Sequence, residues 1–100
     1  HYMYIAENSS DSELKSFALA QIGWMVYESN NIQVATTYIN ESLRINNESL
    51  VAKSYLGIIY IQDPKTKTEG IEILNSVIKS EKLNKEDKKF ITEILENYEK

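Results

Sequence analysis

A glycine follows a branched apolar residue at Ile22-Gly23, and thirty-four residues further on the same pair of classes returns as Leu56-Gly57. A period of that size constrains the chain more than any single motif. It marks a supersecondary unit that cannot bury its own apolar side and must stack on a copy of itself. The unit is clearest over Ser16–Ser49, with an apolar run around Gly23, a break at Asn30-Asn31, and a second run carrying Ala35, Ile39, Ser42 and Leu43. Upstream, Tyr4, Ile5 and Glu7 stand thirty-four residues before Tyr38, Ile39 and Glu41, so residues 1–9 read as the tail of a preceding helix of the same kind.

The spacing within each run is helical. Ser10-Asp11-Ser12-Glu13 has the form of a capping box, a hydroxyl with a carboxylate three residues on, and opens a helix to about Glu28. Asn30-Asn31 suits a tight turn because Asn tolerates left-handed backbone angles. A second helix is predicted over Ile32 to Ile45 and a third from Glu48 to about Gln62, where Asp63-Pro64 ends it. Thr66-Lys67-Thr68-Glu69 repeats the capping spacing and opens a fourth, to about Ser80. Asn84, followed by Glu86 and Asp87, starts the last. There, Phe90, Ile91, Ile94, Leu95 and Tyr98 form one apolar stripe on a charged helix, the pattern of an element that closes an array. Apolar residues nowhere alternate as in a strand, so the fold class is all-α.

Small residues give each hairpin a place to close. Gly in a helix interior costs about 1 kcal/mol relative to Ala, so each has a packing reason. Gly23 is expected to face Ala35, and Gly57 to face Gly70.

These residues resemble the tetratricopeptide repeat (TPR) family, whose pattern runs W-x₂-L-G-x₂-Y, then A-x₃-F, then P. The first unit supplies Leu19, Ile22-Gly23 and Val26, then Ala35 and Ile39, with Asn47 at the proline site. The second supplies Lys53, Leu56-Gly57 and Tyr60, then Gly70 and Leu74, with one residue inserted near Thr68. Both units lack the Trp and the Pro. Sel1-like repeats are the near alternative. The resemblance implies a right-handed solenoid of helix-turn-helix repeats in a single domain. Residues 10–47 would form repeat one, 48–83 repeat two and 84–100 a capping helix.

In TPR proteins the first helices of the repeats line a concave groove. By that resemblance Phe17, Trp24, Tyr27, Tyr55, Ile58, Ile61 and Gln62 are the expected partner-binding residues, taking an apolar or amphipathic peptide or helix. Aromatic anchors suit such a surface. The same side chains would equally serve as core between repeats. The family's chaperone-binding members hold an acidic tail with Lys, Asn and Arg at the groove. Here Ala20, Trp24, Ser54 and Ile58 stand there, so that ligand is not expected. Self-association through an uncovered apolar edge is the second expectation.

Catalytic and cofactor signals are absent from the sequence. His1 is the sole histidine and there is no cysteine, which leaves no thiolate metal site, dyad or disulfide. No phosphate-binding glycine loop appears. Glu69/Glu72 and Glu93/Glu96 have the spacing of solvated helix faces. The chain carries a net charge of −4, with two basic and six acidic residues in positions 1–50 and nine of each in 51–100. Such a balance argues against nucleic acid as a partner. The longest apolar run, Leu56 to Ile61, is too short to span a bilayer. The protein is therefore expected to be non-enzymatic, to need no cofactor and to bind protein. Asn8-Ser9-Ser10, Asn40-Glu41-Ser42 and Asn47-Glu48-Ser49 match the glycosylation triplet by spacing alone and are given no role.

Overall fold

The computed structural model describes residues 2–8 and 10–98. His1, Ser9, Glu99 and Lys100, at the edges of the expected units, lie outside the described residues, and with Ser9 the Asn8-Ser9-Ser10 triplet. Six α-helices follow one another: α1 (Tyr2–Asn8), α2 (Ser12–Glu28), α3 (Ile32–Ile45), α4 (Leu50–Ile61), α5 (Lys67–Ile78) and α6 (Lys85–Tyr98). No strand occurs among the described residues.

Each helix packs on its chain neighbour, with the α2–α3 and α4–α5 pairs the most extensive. Beyond neighbours, α2 touches α4 and α4 touches α6. Shifting every helix by two reproduces the pattern, which is the packing of a helical repeat. The core is divided accordingly. Ala6, Ala18 and Leu19 pack between α1 and α2. Ala20, Ala35, Ile39, Ala52, Leu56 and Ile59 join α2, α3 and α4. Ile61, Leu74, Val77, Ile91 and Leu95 join α4, α5 and α6. Each cluster is shared between successive hairpins, so no hairpin is buried without its neighbour.

Close approach within the hairpins depends on the glycines. A methyl group at Gly23 would meet Ile39 Cγ1 at 2.7 Å and the Ala35 carbonyl oxygen at 3.0 Å. One at Gly57 would meet Leu74 Cδ2 at 2.6 Å, and one at Gly70 the Ile61 amide nitrogen at 2.5 Å and the Gly57 oxygen at 2.9 Å. Gly23 therefore crosses at Ala35 and Ile39, and Gly70 lies against Gly57, as the small-residue spacing predicted. At the other end of the first hairpin, Ser16 and Ser42 are buried against each other. Ser16 Oγ donates to the Ser42 carbonyl at 2.9 Å and Ser42 Oγ to the Ser16 carbonyl at 2.5 Å. Two small hydroxyls thus satisfy themselves where a larger side chain would force the helices apart.

The turns follow the polar punctuation with corrections, the first being that α4 starts at Leu50 behind a Ser49 cap and not at Glu48. Asn30 takes a φ of 69°, and the Asn31 and Asn30 amides return to the carbonyls of Val26 and Tyr27, a Schellman closure of α2. Asn31, Ser49 and Asn84 each accept a backbone N–H in the first turn of the following helix. The cap of α2, however, is Asp11 and not Ser10. Its carboxylate takes the Glu13 and Leu14 amides at 2.9 and 3.2 Å. Thr66 does not use its side chain as a cap either. Its hydroxyl donates to the Tyr60 carbonyl at 2.8 Å, alongside the Asp63 amide at 3.2 Å, where Pro64, four positions on, has no N–H to give.

The stripe on α6 also differs from expectation. Ile91 and Leu95 are buried, but Phe90 is 56% exposed and Tyr98 38%. The buried side of α6 is narrower than its apolar stripe.

Candidate functional site

Where α2 lies beside α4, side chains a repeat apart meet. Trp24 and Tyr55 stack with ring centroids 4.6 Å apart, and Trp24 lies 5.2 Å from Tyr27. The Tyr55 hydroxyl donates to Gln21 Oε1 at 3.3 Å, and the Tyr27 hydroxyl donates to Gln62 Oε1 at 2.6 Å. Gln62 Nε2 in turn donates to the Ile58 carbonyl at 3.0 Å. Trp24, Tyr27 and Tyr55 are half-buried and pack against the cluster of Ala20, Ile39 and Leu56. Each ring therefore serves as core on one side and presents an edge on the other.

Beside α6, the α4 face opens into a cleft of about 310 Å³. Leu50, Val51, Tyr55 and Ile58 form one wall; Leu83, Asp87, Phe90 and Ile91 form the other, and Lys82 stands at the loop. On α2, Leu14, Phe17, Gln21 and Met25 recur every three or four residues and so share one face. Leu14 (51%), Phe17 (41%) and Met25 (56%) are exposed along it, and Gln21 bonds across to Tyr55. Phe17 meets the edge of Tyr2 on α1, ring centroids 6.1 Å apart.

The expected binding residues are thus only partly gathered. Tyr55 and Ile58 line the cleft, Trp24 stacks on Tyr55, and Phe17 lies on the exposed α2 face. Tyr27 and Gln62 line a separate depression of about 410 Å³ near the interhelical turns, with Ile32, Thr36 and Pro64. Ile61 departs from expectation altogether. It is 1% exposed, packed with Leu74, Val77, Ile91 and Leu95, and its backbone is what Gly70 crosses. About five-sixths of a turn beyond Ile58, it points into the α4–α5 hairpin and reaches no open surface.

Leu14, Met25, Val51 and Phe90 were not singled out as binding residues. The 14, 17, 21, 25 spacing carries a signal for the α2 face. Nothing in spacing alone distinguishes Phe90 at the edge of its stripe from Ile91 at the centre.

Charge on these faces is acidic. Glu13 and Glu28 lie on α2 near Phe17 and Met25, and Glu86, Asp87 and Glu93 surround Phe90 on α6; all are exposed. The basic residues of the first half face elsewhere. Arg44 is ion-paired with Glu41. The Glu41 carboxyl is held below its ordinary value first by the Arg44 hydrogen bond, against some desolvation, with the Arg44 and Lys15 charges adding. Lys15 falls about 160° from Phe17 around α2. Among the described residues no group of three or more His, Cys, Asp or Glu could hold a metal ion, and no helix is long and apolar enough to cross a membrane.

Comparison with protein-family models, with curated proteins and with solved structures gave no match to this chain.

Proposed function

We propose that this chain is a TPR-like module, a right-handed stack of about two helical hairpins closed by α6. In this reading it binds an apolar or amphipathic segment of a partner protein along the exposed faces of α2, α4 and α6. It acts without catalysis or a cofactor, and nucleic acid is not its ligand. The observation that carries the reading is the α4–α6 cleft, walled by Val51, Tyr55, Ile58 and Phe90, with the exposed apolar face of α2 tied to its wall by the Tyr55–Gln21 hydrogen bond. Apolar area of this kind gains free energy when covered, at roughly 25 cal/mol per Å² removed from water, and a helix laid in a groove is one common way to cover it.

Selection from a displayed random peptide library tests the proposal. Sequences with apolar residues at i, i+3 or i+4 and i+7 are expected to be enriched. Phe90→Ala should weaken their binding by about tenfold or more, as a groove anchor does. Its melting temperature should remain near that of the parent, because Phe90 is largely outside the core. Enrichment of no amphipathic sequence, or binding indifferent to Phe90, would overturn the reading.

The second reading, self-association, draws on the same exposed apolar residues and on Tyr2 and Met3 of α1, which are 37% and 43% exposed. Sedimentation across a wide concentration range decides it, since a constant monomer mass excludes it.

A further inference from the structure

Exposed apolar residues on the proposed groove are accompanied almost wholly by carboxylates. Phe90 has Glu86, Asp87 and Glu93 at i−4, i−3 and i+3, all within about 60° of it around α6. Lys85, Lys88 and Lys89 of the same helix fall about 100° or more away. On α2, Glu13 stands one turn before Phe17 and Glu28 three residues after Met25, while Lys15 falls about 160° from Phe17 around the helix. The α4 wall of the cleft, Leu50, Val51, Ser54, Tyr55 and Ile58, has no charge. Lys53 lies on the other side of α4, beside Ser76 and Glu81. Lys82 is the one basic side chain that lines the cleft.

From this complementarity we infer that the occupant is a basic amphipathic helix of a partner protein. Its apolar stripe would lie in the α4–α6 cleft and its Lys or Arg flanks against the carboxylates of α2 and α6. The inference rests on the groove reading above and adds the sign of the ligand. Rim charges of one sign select partners and suppress like-charged ones. A second copy fits less well. Face to face, it would oppose the same acidic rims, and the basic side of its α6, with Lys85, Lys88 and Lys89, carries no exposed large apolar residue. Anionic membranes and nucleic acid are repelled by the same field.

Three synthetic Trp-free peptides of about eighteen residues, long enough as helices to span roughly 27 Å of groove, test it. All share one leucine stripe; the polar positions are Lys in the first, Gln in the second and Glu in the third. Binding is read from the fluorescence of Trp24, the sole tryptophan, which stacks on Tyr55 at the cleft wall. At low salt the Lys peptide should bind about tenfold tighter than the Gln peptide and the Glu peptide more weakly than either. Near 1 M salt, where the screening length is about 3 Å, the three should converge. In Glu28→Lys/Glu93→Lys the preference for Lys should fall by about tenfold or reverse. Neither residue is in a helix first turn, so the melting temperature should hold.

Equal binding of all three peptides, or preference for the Glu peptide, overturns the inference and leaves the groove reading intact. Binding of none overturns both. Displacement of peptide by a dimer that forms with rising protein concentration assigns the face to a second copy and overturns the inference.

Discussion

Gly70→Ala sets helix propensity against packing, and the structure decides between them. In an exposed helix the change would stabilise by about 1 kcal/mol, because alanine restricts the unfolded chain and favours the helix. At Gly70 the added methyl carbon would lie 2.5 Å from the Ile61 amide nitrogen, 2.9 Å from Ile61 Cα and 2.9 Å from the Gly57 oxygen. All three are backbone atoms of α4, which no rotamer change can move. Restoring an ordinary 3.4 Å contact requires α4 and α5 to part by up to about 0.9 Å. A gap of that size forfeits a quarter to a half of the dispersion energy across it. The residues that lose it are Ile61, Leu74 and Val77, each 1% exposed or less. Overpacking, this loss included, costs about 1–3 kcal/mol, so less the propensity gain it leaves a net destabilisation of up to about 2 kcal/mol. For a domain of this length that lowers Tm by up to roughly 15 °C. Gly57→Ala meets side-chain carbons of Leu74 instead, so it should cost less, and combining it with Leu74→Ala should be less damaging than the sum of the two. Thermal and urea unfolding measure all four variants. A Tm for Gly70→Ala equal to or above the parent's, or a greater loss from Gly57→Ala, would refute the reasoning.

Ser16→Ala and Ser42→Ala should each cost about 1 kcal/mol in urea unfolding, and the double variant less than their sum, because the two hydroxyls lie 2.9 Å apart and bond reciprocally to each other's residue. Asn30→Ala should destabilise by about 1 kcal/mol, since its φ of 69° is left-handed, while Asn30→Gly should leave the urea midpoint nearly unchanged. Glu41 should titrate below its ordinary 4.5 in a carboxyl NMR titration, and Arg44→Gln should return it upward. A lowered folded pKa means that the associated stability is present above the unfolded value and lost as pH falls through the folded one. Because both side chains are open to solvent, Arg44→Gln should nevertheless leave Tm at neutral pH unchanged within error.

The helices were legible because their limits are marked by residues with local consequences. Asn30 acts through a left-handed backbone angle, Asn46 through a side-chain acceptor for the Glu48 amide and Pro64 through a missing donor, effects that need no tertiary information. The glycine pairing was legible for a related reason, since a helical glycine is unfavourable unless something comes close. Choices between adjacent candidates were less accessible. Ser10 and Asp11 both offer an acceptor before α2, and Asp11, extended at φ −85° and ψ 114°, is the residue that stands directly before the first helical turn. Thr66 has the form of a cap, but its hydroxyl joins the Asp63 amide on the Tyr60 carbonyl instead. Ile58 and Ile61 are three residues apart on one apolar helix; only the direction from which α5 arrives separates cleft from core. Periodicity states which residues share a face, and not which neighbour covers it.

That distinction bears on the aromatic seam between α2 and α4. Trp24, Tyr27 and Tyr55 contact core residues and one another, and their polar ends bond Gln62 and Gln21. Truncating any of them removes buried area and an inter-repeat hydrogen bond or ring contact together, so lost binding in such a variant would not separate groove from core. Phe17, Met25 and Phe90 lie outside that coupling because they are exposed and the core clusters close without them. The same division explains α6. Ile91 and Leu95 suffice to cover the α4–α5 hairpin, which frees the Phe90 edge to serve as a cleft wall. A terminal helix can thus finish the core with one strip of its surface and extend the binding face with the next.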